Sequence, residues 1–142
     1  MPLHLEIVTP ERLAYSDDVD MVLVPGIEGE LGILPNHTPL VSLLGMGELK
    51  VRKGTDEESF AIVGGFLQVG PDKVVVMAET ADMASEIDLE KAQEARREAE
   101  RALESGFHEG ADLAAARAQF QHALLQIRVA ERRRREGPRS RG

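Results

Sequence analysis

Ile87-Asp88-Leu89-Glu90-Lys91-Ala92-Gln93-Glu94-Ala95-Arg96-Arg97-Glu98-Ala99-Glu100-Arg101-Ala102-Leu103-Glu104 is where the hydrophobic rhythm of this chain changes. Its less polar positions, Leu89, Ala92, Ala95, Ala99, Ala102 and Leu103, recur every three or four residues, which is one stripe of a helix. Asp88 stands where a carboxylate can accept bonds from the free amides of the first turn. Ile87 and Ala92 flank it as a weak hydrophobic staple. Glu94 with Arg97, Arg96 with Glu100, Glu98 with Arg101 and Arg101 with Glu104 salt the outer face at helical spacing.

Upstream the beat is two residues. Glu48-Leu49-Lys50-Val51-Arg52 alternates strictly, which puts Leu49 and Val51 on a buried face and the charges in water. Segments 4–8, 19–24, 48–52, 60–63, 66–69 and 73–77 read as short strands rich in β-branched residues. Lys53-Gly54-Thr55-Asp56 and Gly70-Pro71-Asp72-Lys73 read as turns. Many short strands at this spacing predict an antiparallel β-sandwich or barrel. Downstream, Ser105-Gly106-Phe107-His108-Glu109-Gly110 breaks the helix, Asp112 is expected to cap a second, and Leu113, Ala116, Phe120, Ala123, Leu124, Ile127 and Ala130 form its stripe. The fold expected is α+β in two parts: a sandwich over residues 1–86, then an antiparallel two-helix hairpin over 87–142, with helices near 88–105 and 112–135. A stripe of alanines buries little area, so the hairpin should be loosely held. The tail, with Gly137-Pro138, should fray.

The 142 residues carry a net charge of −8, unevenly spread. Residues 1–86 hold 5 Lys/Arg against 15 Asp/Glu, and residues 87–142 hold 12 against 10. The two parts therefore face different partners. With no cysteine, disulfides, thiolate-bound metals and thiol catalysis are excluded. The four histidines have no metal-ligand spacing and read as ordinary surface or loop residues, and no metal or other cofactor is expected. No apolar run approaches the ~20 residues of a spanning helix, and the first residues do not read as a signal or transit peptide. Membrane association is expected only through partners, without direct insertion.

Gly29-Glu30-Leu31-Gly32-Ile33-Leu34-Pro35-Asn36-His37-Thr38-Pro39-Leu40 needs separate treatment. By residue type alone its glycines and prolines shape turns, and Pro35 and Pro39 argue for a structured loop or a sheet edge rather than a central strand. The segment also resembles the signature loop of the ε subunits of bacterial F-type ATP synthases. Supporting segments come in that family's order: Val8-Thr9-Pro10, Asp17-Asp18-Val19-Asp20, Gly64-Gly65-Phe66-Leu67-Gln68-Val69, residues 74–81, Ile87-Asp88-Leu89 and Ile127-Arg128-Val129-Ala130-Glu131. The resemblance covers about residues 3–134.

That resemblance implies a non-catalytic rotor subunit of the central stalk, coupling proton-driven rotation to ATP synthesis on the cytoplasmic side of the inner (plasma) membrane. Its implied partners are the γ subunit, the c-ring and a catalytic β subunit, with Glu30 against the c-ring and His37 near γ. It further implies that Arg132, Arg133, Arg134 and Arg135, with Arg128, meet acidic residues of the β subunit when the hairpin extends, and so oppose ATP hydrolysis. Removing residues 88–142 is then expected to raise hydrolysis. Some family members bind ATP through Ile/Leu-Asp-x-x-Arg-Ala at the first helix. Here the matching positions are Asp88, Lys91 and Ala92, and lysine lacks the planar guanidinium fork that grips phosphate. His122 and Gln126 stand where such members carry second-helix arginines. Asp88 also reads simply as an N-cap, and ATP binding is expected to be weak or absent.

Four consecutive arginines could bind nucleic acid, but the chain is acidic and nearly free of aromatics, so no nucleic-acid partner is expected. Two rivals remain: a free-standing sandwich-and-hairpin adaptor without affinity for γ, and a small hydrolase using His37. No P-loop or nucleophile arrangement in the sequence favours the latter.

Overall fold

The computed structural model describes residues 3–105 and 110–136, with the side chains of Ala111 and of residues 134–136 outside that description. Eight strands come first: β1 (Leu3–Val8), β2 (Leu13–Val19), β3 (Met21–Gly26), β4 (Gly29–Ile33), β5 (Leu40–Leu44), β6 (Gly47–Lys53), β7 (Asp56–Val69) and β8 (Lys73–Met83). One turn of 3-10 helix, Ala84–Glu86, leads to α1 (Leu89–Glu104) and α2 (Ala111–Glu136). The sandwich followed by a helical hairpin is the architecture the change of rhythm predicts. The expected break at residues 106–109 and the tail from 137 lie outside the described residues.

Hydrogen-bonded neighbours run β2-β1-β8-β7-β5-β3-β4, and β6 bridges β3 and β7. The first half of β7 pairs with β6 and its second half with β5, so this one strand serves both layers. All pairs are antiparallel except β1 with β8. That pair lies at opposite ends of the sandwich sequence with no hairpin joining it, so nothing imposes antiparallel direction. The layers enclose a core in which Leu3, Leu5, Ile7, Val22, Val24, Ile33, Leu49, Ile62, Leu67, Val74 and Val76 are fully buried. Leu49 and Val51 face inward, as their alternation requires.

Three details depart from the sequence reading. Residues 60–63 and 66–69 are one strand, because Gly64 (φ 58°) and Gly65 (φ 114°) bend it without ending it. β2 and β5 were not expected: β2 carries Asp17 and Asp18, and β5 is apolar on both faces, so neither shows a clean two-residue alternation. The signature segment, by contrast, is the expected sheet edge: it forms β4, followed by a turn in which Asn36 adopts φ 65°. Finally, the Gly110 carbonyl accepts the first bond of α2 from the Ala114 amide at 3.1 Å. Asp112 therefore sits inside the first turn, where a carboxylate still complements the helix dipole, rather than at the cap.

α1 begins as expected. The Asp88 carboxylate accepts the Lys91 amide at 3.1 Å, and Ala92 and Ala99 are the buried residues of its stripe. Among the outer pairs, Arg96 meets Glu100 at 3.6 Å.

Candidate interaction surfaces and the hairpin contact

α2 has two working faces. Ala116, Ala123 and Ala130 are buried, while Leu125 and Val129 lie on a second stripe with Ala61 of β7, Ala84 and the partly buried Ile87. A buried Leu or Val stabilises by roughly 1.5–3 kcal/mol. Two such residues hold the hairpin to the sheet, against a sandwich core of eighteen. The hairpin is thus the more separable element, and polar contacts weigh heavily in its docking.

Those contacts fall at two levels along α2. At the C-terminal level, Arg132 Nη2 donates to Glu48 Oε2 on β6 and, at 2.8 Å, to Ser59 Oγ on β7. Arg133 Nη1 reaches Glu58 Oε1 at 3.3 Å. One turn and more upstream, Gln126 Nε2 donates to Asp82 Oδ2 at 3.0 Å, and His122 Nε2 lies 3.5 Å from the same oxygen. His122, read from the sequence as an ordinary surface or loop residue, is half-buried, and this ring nitrogen is buried with no partner at hydrogen-bond distance among the described residues. The His122 contact, with help from Gln126 and the charge of Arg12, holds the Asp82 carboxyl below the ordinary range against the opposing effect of burial. The Arg12 guanidinium itself donates to the Ala81 carbonyl at 3.4 Å.

The site residues proposed from sequence therefore separate. Arg132 and Arg133 are held by carboxylates of the sheet, whereas Arg128 is exposed. The side chains of Arg134 and Arg135 lie outside the described residues. Asp88 and Lys91 line an open cleft of about 420 Å³ together with Arg12, Asp82, Glu86 and Gln126, and Ala92 forms part of its wall. Glu30 is exposed on the β4 edge. His37, in the loop that follows, bonds the Thr38 carbonyl through Nδ1 at 2.7 Å.

One surface escaped the sequence reading. Leu43, Phe66 and Met77 stand in register across β5, β7 and β8 on the outer face, and Val41 follows two residues along. Val41 is 69% exposed, Leu43 60% and Phe66 41%. Ile27, whose amide bonds the Leu43 carbonyl, extends this row at 64%. Apolar side chains on both faces of β5 are the only signal for it, and that pattern also suits a buried strand.

A different cluster lies on β1 and β2. His4 Nδ1 meets Asp18 Oδ1 at 2.8 Å, and Ser16 Oγ lies 3.2 Å from His4 Nε2. Glu6 also approaches that Nε2, at 3.6 Å. The three residue types of a hydrolase thus meet, but across an exposed strand pair and with a second carboxylate at the ring nitrogen that a nucleophile would need as its base. The arrangement supports cross-strand pairing rather than acyl transfer. Among the described residues no group of three or more metal-ligating side chains converges.

Most of the chain has counterparts among known proteins. Residues 2–84 match the family model "ATP synthase, Delta/Epsilon chain, beta-sandwich domain", and residues 85–131 match "ATP synthase, Delta/Epsilon chain, long alpha-helix domain". The ATP synthase epsilon chain of Dehalococcoides mccartyi is 47% identical over 132 residues, covering 93% of this chain and 94% of that one. The epsilon chains of Chloroflexus aggregans (45%, covering 92% and 94%) and Halalkalibacterium halodurans (42%, covering 92% and 98%) are similar too. A chain in the mitochondrial ATP synthase of Euglena gracilis, solved with its OSCP, F1 and c-ring, superposes with a TM-score of 0.70 at 27% identity over 92% of this chain and 80% of its own.

Proposed function

Because the chain belongs to the ATP synthase delta/epsilon family, matched in both its sandwich and its helical parts, we propose that it is the ε subunit of a bacterial proton-translocating ATP synthase and works as a non-catalytic part of the rotor. The sandwich is the docking block and the hairpin the regulatory arm. In this reading the complex sits at the inner membrane and the subunit is peripheral on its cytoplasmic side. No helix among the described residues is long and apolar enough to cross a membrane.

The observation that carries the docking role is the outer row Leu43, Phe66 and Met77 with Val41 and Ile27. Contiguous apolar surface of this kind on a sheet face marks a protein interface. The γ subunit is the partner proposed for it, with His37 at its margin. Glu30, exposed on the free edge of β4, is the candidate contact to polar loops of the c-ring. Phe66→Glu puts a carboxylate in the middle of the row and leaves the core untouched. Affinity for γ should fall by about 100-fold in a titration with γ, with the thermal midpoint of the variant unchanged. Undiminished binding would refute this surface and favour a free-standing adaptor.

Regulation follows from the arginines. In the docked hairpin Arg132 and Arg133 are engaged by Glu48, Ser59 and Glu58. When the hairpin leaves the sheet, the same guanidinium groups, with Arg128 beside them, become free for carboxylates of a catalytic β subunit, and charge-assisted pairs of that type would oppose hydrolysis.

Asp88, Lys91 and Ala92 at the cleft are weak candidates for holding ATP. The Asp88 carboxylate is engaged by the Lys91 amide, and Gln126 is engaged by Asp82. Three carboxylates, Asp82, Glu86 and Asp88, line a space in which a triphosphate would need cations. Calorimetric titration of the isolated chain should show no ATP binding tighter than about millimolar, corresponding to roughly −4 kcal/mol. A micromolar isotherm would overturn this.

A further inference from the structure

We propose that His122 is a proton-operated latch: protonation of its ring charges the contact with Asp82 and tightens the docking of the hairpin on the sandwich. This goes beyond the regulatory reading and needs neither a rotor partner nor an inhibitory role, because it concerns an equilibrium of the chain alone.

The geometry is specific. His122 on α2 and Asp82 on β8 come from the two elements that must separate when the hairpin leaves, and they stand 3.5 Å apart. Gln126, one turn further along α2, fills the same carboxylate oxygen from the side at 3.0 Å, which fixes Asp82 toward the helix. The ring nitrogen facing Asp82 is buried and has no partner at hydrogen-bond distance among the described residues. A neutral ring offers that oxygen a neutral N–H or, in the other tautomer, a lone pair that repels it. A protonated ring offers a charged donor at partial burial, where charge pairs gain more than in open water. A released α2 carries the ring away from this carboxylate, so the proton favours the docked state.

The surroundings do not cancel this. On α2 itself the residues three and four away from His122 are Gln119, Ala118, Leu125 and Gln126, none of them charged. From β7, Ala61 belongs to the apolar cluster that receives Leu125 and Val129 of α2. The connection between β1 and β2 supplies Arg12, which bonds the Ala81 carbonyl and lies near Asp82, and the turn into α1 places Glu86, Asp88 and Lys91 around the cleft that Gln126 also lines. Lys91 and Arg12 oppose a second cation, while Glu86 and Asp88 favour one. Among the described residues, Asp82 is the one carboxylate within ion-pair distance of the ring.

The sign follows. Asp82 has its carboxyl held below the ordinary range, so its share of the docking persists until the pH falls through that lowered value. Histidine is the side chain that gains and loses its charge within the physiological pH range, so the contact with Asp82 is charged on the acid side of that range. Docking is therefore strongest in mildly acid solution and weakens toward alkaline pH.

The chain has no cysteine, so Asp72→Cys and Ala115→Cys, both at exposed positions, allow a donor and acceptor dye to be placed on sandwich and hairpin. Energy transfer in the full-length chain is read at pH of about 5.5 and about 8. Enough sub-denaturing urea is added to bring docked and released forms to comparable populations. The docked-to-released ratio is expected to fall about fivefold across that interval. His122→Gln should abolish the pH response, and His122→Arg should keep the hairpin docked at both values. A ratio independent of pH in the unsubstituted chain, or an undiminished response in His122→Gln, would overturn the proposal.

Discussion

Gly65→Ala is expected to remove most of the stability of the sandwich, whereas the same change at neighbouring Gly64 is expected to be mild. Both residues have positive φ, 114° at Gly65 and 58° at Gly64, and both lie where β7 passes from its pairing with β6 to its pairing with β5. Their surroundings differ. A Cβ on Gly65 would stand 1.8 Å from the Met77 carbonyl oxygen and 2.8 Å from its carbon. Those atoms belong to β8, whose Ala78 is paired with Gly65 itself, so they can retreat only by opening the ladder. A Cβ on Gly64 meets nothing closer than the Glu79 side chain at 3.6 Å, and φ 58° is the left-handed well that an alanine tolerates at a cost of about 1–2 kcal/mol. For Gly65, backbone strain and a backbone clash add, and a loss of roughly 4 kcal/mol or more is expected. That approaches the whole stability of many domains. Urea unfolding followed by circular dichroism decides the matter. Should Gly65→Ala unfold within about 1 kcal/mol of the parent chain, the bend is not the close crossing described above.

Those glycines also show where sequence reading stops. Gly64-Gly65 looks like a break between two strands, and only the register across β8 reveals one strand bent through two layers. The split between sheet and hairpin was legible because period two and period 3.6 are different signals over long stretches. β5 was not legible, because Val41 and Leu43 are apolar on the outside as Leu44 is on the inside, and no alternation remains to read. On α2 the stripe drawn from sequence included Leu124, which is 39% exposed, and passed over Leu125 and Val129, which are buried. The reason is geometric: α2 packs on α1 with one face and on the sheet with another, and a single helical wheel cannot say which apolar positions serve which neighbour. The arginines pose the same difficulty in sharper form. Their run was plain, but Arg132 finds Glu48 across 84 residues, and no local pattern encodes that pairing.

Glu48→Arg should release the hairpin, and its effect on hydrolysis should be opposite in sign to removal of the hairpin. Glu48 is only 14% exposed at its side chain and Arg132 24%, so the pair is largely shielded from water. Reversing the charge of Glu48 leaves Arg132 facing a cation, with the Ser59 hydroxyl still within reach. Breaking a shielded pair of this kind costs about 3 kcal/mol, more than a surface pair could supply. Against a docking surface of Leu125, Val129 and a few alanines, that lowers the docked-to-released ratio by roughly 100-fold. The substitution lies on the sandwich, so every arginine of the hairpin remains. If freed guanidinium groups oppose hydrolysis, the assembled enzyme carrying Glu48→Arg should hydrolyse ATP several-fold more slowly than the parent, while one lacking residues 88–142 should hydrolyse it faster, with assembly retained in both. Glu48→Gln, which weakens the pair without repulsion, should fall between Glu48→Arg and the parent. The ordering is diagnostic because a merely destabilised sandwich would disturb assembly and coupling rather than set these variants on opposite sides of the parent. Equal rates in Glu48→Arg and the deletion would mean that the arginines act only in holding the hairpin down, and the inhibitory role assigned to them would be wrong.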